Sequence, residues 1–117
     1  IIMTGFVQGD ELDELYSNAY LYCLPSYIEG MPISLLEALS YGCNVLISDI
    51  DENIQVTGKY ATTFKVGDVS DLTNKFKECL KVKNRYNSNE IQDYVLNKYS
   101  WDDVVEKTMK IYKEIER

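Results

Sequence analysis

Short apolar runs alternate with helix-patterned stretches along most of this 117-residue chain, and that order restricts the fold more than any other feature. Residues 1–6 are rich in β-branched and apolar side chains. The stretch after them carries Leu12, Leu15, Tyr16 and Ala19 at helical spacing, with Asp10 placed to cap it. Residues 20–24 form an unbroken apolar run closed by Pro25-Ser26, the pattern of a strand buried on both faces. A helix is expected over residues 32–41, with Pro32 in its first position and Gly42 ending it. Residues 43–48 read as another buried strand, 49–59 as a polar loop and 62–66 as a fourth strand. Helices are then expected over 71–81, 89–98 and 101–115, the last capped by Ser100. Strand, helix, strand, helix implies right-handed crossovers and an α/β fold, a Rossmann-like parallel sheet with flanking helices. Ligands of such sheets lie at the C-terminal strand ends. The segments to inspect are therefore 7–10, 25–31, 48–53 and 67–70.

A chain of this length builds one domain with a real core. Its first residue is Ile1, already inside an apparent strand, so the chain reads as an excerpt of something longer. The formal charge of −7 and the scatter of the 12 basic residues oppose a nucleic-acid surface, and anionic lipid would meet the same repulsion. Mild basic stretches at 75–85 and 107–117 fall among acidic neighbours at helical spacing and read as solvated helix faces. The chain contains no histidine, which removes Ser-His and Cys-His nucleophile pairs and histidine general bases. Three distant cysteines (Cys23, Cys43, Cys79) with no histidine leave no pattern for zinc, and no metal site is expected. Cys23 and Cys43 stand in apolar surroundings and read as small hydrophobes. Reduced thiols, no signal peptide and no long apolar run suggest a cytoplasmic protein.

The chemistry concentrates between Pro25 and Leu39, where the second strand passes through a loop into a helix. A helix tip offers unpaired N–H groups and partial positive charge, a ready receptor for a phosphate or diphosphate. Gly30 permits close approach to the backbone. Two carboxylates flank the tip, Glu29 in the loop and Glu37 within the helix, and each can accept hydrogen bonds from vicinal hydroxyls. That order matches an activated sugar, with hydroxyls at both ends and a diphosphate between them. Plainer readings stay open. Glu37 alone could be a solvent-facing helix residue, and Glu29 alone could merely complement the helix dipole. A two-carboxylate hydrolase is disfavoured, because nothing brings residues eight apart across one glycosidic bond.

The string Pro25-Ser26, Glu29-Gly30, Pro32, Glu37-Ala38, with Gly42 before the next strand, resembles retaining GT-B glycosyltransferases of glycosyltransferase family 4. Their mark is a pair of glutamates separated by seven residues in this setting. Gly5-Phe6-Val7, the 48–53 loop, Gly67-Asp68 and Tyr99-Ser100-Trp101 resemble further parts of that family, so the likeness covers nearly the whole chain. It implies the latter part of a GT-B C-terminal domain, with residues 1–117 a partial nucleotide-sugar-binding domain. By the resemblance, Glu37 holds the ribose hydroxyls, Glu29 serves catalysis beside the donor sugar, and Gly30, Met31, Pro32, Ile33 and Ser34 meet the sugar and diphosphate. It also implies transfer to an acceptor glycan, lipid or protein without metal or other cofactor. Asn44 and Asp51 depart from prolines usual in the family.

The basic residues that neutralise the diphosphate, and the N-terminal domain that selects the acceptor, would precede Ile1. This chain alone is accordingly expected to be inactive, and any membrane association would come through that other half. A strand order of 3-2-1-4-5-6 would leave residues 1–6 beside a raw edge, closed internally or by a second copy. Two alternatives compete: a non-catalytic nucleotide-sugar-binding or interaction module of the same fold, and a receiver-like domain. The latter lacks its acidic pair and acceptor aspartate.

Overall fold

A computed structural model describes residues 1–115; Glu116 and Arg117, the end of the second basic stretch, lie outside the described residues. Helix α1 (Asp10–Ser17) leads to strand β1 (Tyr22–Leu24), helix α2 (Ile33–Ser40) and strand β2 (Val45–Ser48). Helix α3 (Asp51–Thr57), strand β3 (Thr62–Phe64) and helices α4 (Val69–Lys81), α5 (Ser88–Lys98) and α6 (Trp101–Ile115) complete the order. The three strands form one parallel sheet, β1-β2-β3, with Cys23 opposite Leu46 and Ile47 opposite Thr63.

β2 is the centre of the fold because all four of its residues are buried. Alternation along a strand sends Val45 and Ile47 to one face and Leu46 to the other. On the first face, Val45 and Ile47 meet Tyr16 of α1, Leu35 and Leu39 of α2, Val56 of α3, and Ile91 and Val95 of α5. On the second, Leu46 packs with Phe64 and with Cys79 of α4. Both faces of β2 are covered, as its apolar run requires, whereas β1 is only partly buried.

α2 is locked on this base by Leu35, Ala38 and Leu39, all fully buried. Its end is a Schellman turn. The Gly42 amide donates to the Leu39 carbonyl (2.9 Å), the Cys43 amide donates to that of Ala38 (3.0 Å), and Gly42 sits at φ +73°. Pro32 caps the start rather than occupying the first helical position, its carbonyl accepting from the Leu35 and Leu36 amides. Gly9, not Asp10, is likewise the N-cap residue of α1. Asp68 caps α4 through the Asp71 amide, and Asn87 caps α5 through the amides of Asn89 and Glu90.

Three further expectations are overturned. Residues 1–6 form no strand and are exposed throughout, leaving β1 paired only with β2 among the described residues. β-branched composition cannot make a strand without a neighbour to take its hydrogen bonds. Residues 49–59 are not a loop, since α3 fills most of them. Its Asn53, Val56 and Thr57 recur at three- and four-residue spacing and are buried. Cys23 is exposed on β1, whereas Cys43 and Cys79 are buried. No helix among the described residues is long and apolar enough to cross a membrane.

Candidate functional site

Three of the four segments at the C-terminal strand ends are tied together. Ser48, ending β2, donates its hydroxyl to the Ser26 carbonyl (2.6 Å), and buried Asn53 donates its amide to Ser48 Oγ (3.1 Å). The Tyr27 ring lies over Gly67, 3.4 Å from where a Cβ would stand. The Asp49 carboxylate accepts from the Val66 amide (2.8 Å), joining the ends of β2 and β3. Segment 7–10 makes none of these ties and serves only to start α1.

Within this platform, Ser26 donates its hydroxyl to Glu29 Oε1 (2.5 Å), which fixes the loop carboxylate against the strand end. Gly30 is exposed, with open space where a side chain would project. Met31 and Ile33 are exposed, Pro32 is buried and Ser34 is half-buried. No side chain caps α2 and no acidic residue stands in its first turn. The Ile33 amide turns back to the Met31 carbonyl (2.8 Å), while that of Ser34 has no partner among the described residues. The tip is therefore open, with an unsatisfied donor and the positive end of the helix dipole.

Glu37 is exposed one turn further along, so its carboxylate faces solvent and not the core. It is nonetheless held, since the Tyr16 hydroxyl donates to Glu37 Oε2 (3.3 Å) and more weakly to the Ser34 carbonyl (3.4 Å). Tyr22 of β1 donates to Ser34 Oγ (2.9 Å). Burial lifts the Tyr22 phenol above its ordinary pKa, and the charges of Glu29 and Glu37 add to the rise. One phenol thus feels both carboxylates. Burial also lifts the Tyr16 phenol well above its usual range, assisted by Tyr22 and Glu37. The three tyrosines form a cluster, with Tyr16 stacked on Tyr41 at 5.4 Å and tilted against Tyr22 at 6.0 Å between ring centroids. Tyr41 is fixed in turn by the Asp13 carboxylate (2.6 Å).

Tyr16 and Tyr22 went unnoticed in the sequence, where they read as members of an apolar helix face and an apolar strand. The usable signal was chemical, because a buried tyrosine seeks a partner for its hydroxyl. Neither carboxylate takes part in an ion pair, and no group of three potential metal ligands exists, among the described residues.

A three-stranded parallel sheet with helices on its faces and an open helix tip at its C-terminal strand ends defines an α/β protein of Rossmann-like class. The family described as glycosyl transferases group 1 matches residues 1–93, and the chain belongs to that family. An uncharacterized glycosyltransferase of Methanocaldococcus jannaschii is 30% identical over 97% of this chain and 30% of its own length. The N,N'-diacetylbacillosaminyl-diphospho-undecaprenol alpha-1,3-N-acetylgalactosaminyltransferase of Campylobacter jejuni is 27% identical over 90% of this chain and 29% of its own. Among solved structures, sucrose-phosphate synthase from Thermosynechococcus elongatus shares the fold, with a TM-score of 0.83 and 20% identity. That match spans 96% of this chain and 29% of the synthase. The chain therefore spans about three tenths of the length of each of these two curated relatives.

Proposed function

We propose that this chain is the donor-binding part of a retaining glycosyltransferase of family 4 type, taking a nucleoside diphosphate sugar. One observation carries the reading: Glu29, held by Ser26, and Glu37, held by Tyr16, flank an open helix tip. The diphosphate would meet the amides at the start of α2, the ribose hydroxyls Glu37, and the donor sugar Glu29 and the backbone from Gly30 to Ser34. In transfer, the bond from the anomeric carbon to the diphosphate oxygen breaks and the nucleoside diphosphate leaves. The acceptor oxygen then bonds to that carbon on the same face and releases its proton. A carboxylate beside the anomeric carbon stabilises the positive charge that develops there. The family relatives span more than three times this length, so the acceptor site and the cations for the leaving diphosphate belong, in this reading, to the rest of the protein.

The test is a screen of nucleotide sugars against the intact protein, with the anomeric configuration of the product read by NMR. Glu37→Ala should weaken nucleoside diphosphate binding about 10-fold or more, as expected when a charged hydrogen-bond partner is lost. Glu29→Ala should leave binding within a few-fold and slow transfer by about 100-fold or more, the scale of a lost electrostatic stabiliser. Equal and negligible effects of both would defeat the assignment. Binding without transfer by the intact protein would instead indicate a non-catalytic nucleotide-sugar module.

A further inference from the structure

Among the described residues, Ser34 is set apart from the other helix hydroxyls by the phenol that donates to it. Thr57, Thr73 and Thr108 each donate to the carbonyl four residues back, the ordinary fate of a hydroxyl within a helix. Ser34 is the second residue of α2, and four residues back lies Gly30, outside the helix. Its hydroxyl donates to nothing among the described residues, yet accepts from Tyr22. A phenol is a much stronger acid than an aliphatic alcohol, so Tyr22 is the donor of that pair and the Ser34 proton is left to point elsewhere.

Glu37 is constrained in the complementary sense. Tyr16 occupies Oε2 alone, leaving Oε1 as a free acceptor. The Tyr16 ring cannot swing aside, because it is stacked on Tyr41 at an interplanar angle of 18° and flanked by Tyr22. Both phenols stay protonated across the physiological range, since burial raises their pKa values.

We propose that Tyr16 and Tyr22 are positioning residues that set the hydrogen-bonding polarity of the exposed face of α2. Tyr22 makes Ser34 a donor toward a phosphate oxygen, and Tyr16 presents Glu37 as an acceptor for a vicinal diol. This inference rests on the nucleotide-sugar reading and divides it into two arms that can be probed separately.

The experiment measures binding of UDP and GDP, their nucleosides and inorganic pyrophosphate to the intact protein carrying Tyr16→Phe, Tyr22→Phe or Glu37→Ala. Phenylalanine keeps the ring packing and removes only the hydroxyl. Tyr22→Phe should weaken pyrophosphate and nucleoside diphosphate by roughly 3–10-fold and leave the nucleoside within about 2-fold, the scale of one neutral hydrogen bond. Tyr16→Phe should weaken nucleoside and nucleoside diphosphate by a similar factor and spare pyrophosphate. In the Glu37→Ala background, Tyr16→Phe should have no further effect. Equal losses on every probe would reduce both tyrosines to structural supports and overturn the inference, as would no loss at all. If Glu37→Ala binds like the parent, or the parent takes none of the probes at millimolar concentration, the nucleotide-sugar reading itself fails and the inference falls with it.

Discussion

Gly42→Ala provides the sharpest test of how α2 is held in place. The residue sits at φ +73°, where a β-carbon collides with its own backbone at a cost of about 1–2 kcal/mol. The new Cβ would also lie 2.8 Å from Ser88 Cβ, 2.9 Å from the Ser88 carbonyl oxygen and 3.1 Å from its Cα. Two of those atoms are backbone at the start of α5, so relief requires α2 and α5 to separate. Overpacking of that kind costs roughly 1–3 kcal/mol more. The sum, about 2–5 kcal/mol, is a large part of the ~5–15 kcal/mol that holds a domain folded. With a urea dependence near 2 kcal/mol per molar, the unfolding midpoint should fall by about 1–2.5 M. Gly67→Ala is the control. It shares a positive φ of +76°, but its Cβ would meet only the Tyr27 ring at 3.4 Å, an ordinary contact. It should lose the backbone contribution alone, about 1–2 kcal/mol. If the two variants unfold at the same urea concentration, the close approach of α2 to α5 does not exist as described.

Leu35→Ala, beneath the open tip, should cost about 2–5 kcal/mol in the same melts, because Leu35 is fully buried against β2. Ser48→Ala removes both the donor to the Ser26 carbonyl and the acceptor for Asn53, whose Oδ1 already lacks a partner. A loss of about 1–3 kcal/mol is expected, and Ser48→Thr, which restores the hydroxyl, should recover part of it. Among the thiols, only exposed Cys23 should react with iodoacetamide in the native state, Cys43 and Cys79 following on unfolding. Partial desolvation by the neighbouring core, helped by Cys79, raises the Cys23 pKa above the ordinary 9.0, so the reactive thiolate is scarce at neutral pH. The alkylation rate should still be climbing at pH 9; a plateau at pH 8 or below would contradict this.

What could be read in advance followed from local chemistry. Pro25-Ser26 closing an apolar run, and Gly42 ending a helical pattern, located β1, α2 and the loop between them within two residues. Glycine and proline act through their own backbones, whatever surrounds them. Ser100 likewise begins α6 as expected, its hydroxyl 3.5 Å from the Asp103 amide. Residues 1–6 misled because strand formation depends on a neighbour that composition does not reveal. α3 was masked by Asp49, Asp51, Glu52 and Gln55, whose polarity hid the spacing of Asn53, Val56 and Thr57. For the site, the two carboxylates and the open helix tip were legible because they lie close in sequence. The tyrosines were not, since Tyr16 and Ser34 are 18 residues apart and only the packing of α1 on α2 joins them.

α2 is two turns long, and its buried side is immobilised from Leu35 to Leu39. Ser34 and Glu37 ride on the other side, three residues and so about 4.5 Å of helix axis apart. The backbone that carries them cannot shift toward a ligand without dragging the core beneath. The helix therefore works as a fixed gauge. Under the proposed function, a ligand that touches both groups would have to span a distance set by the helix and not by a movable loop.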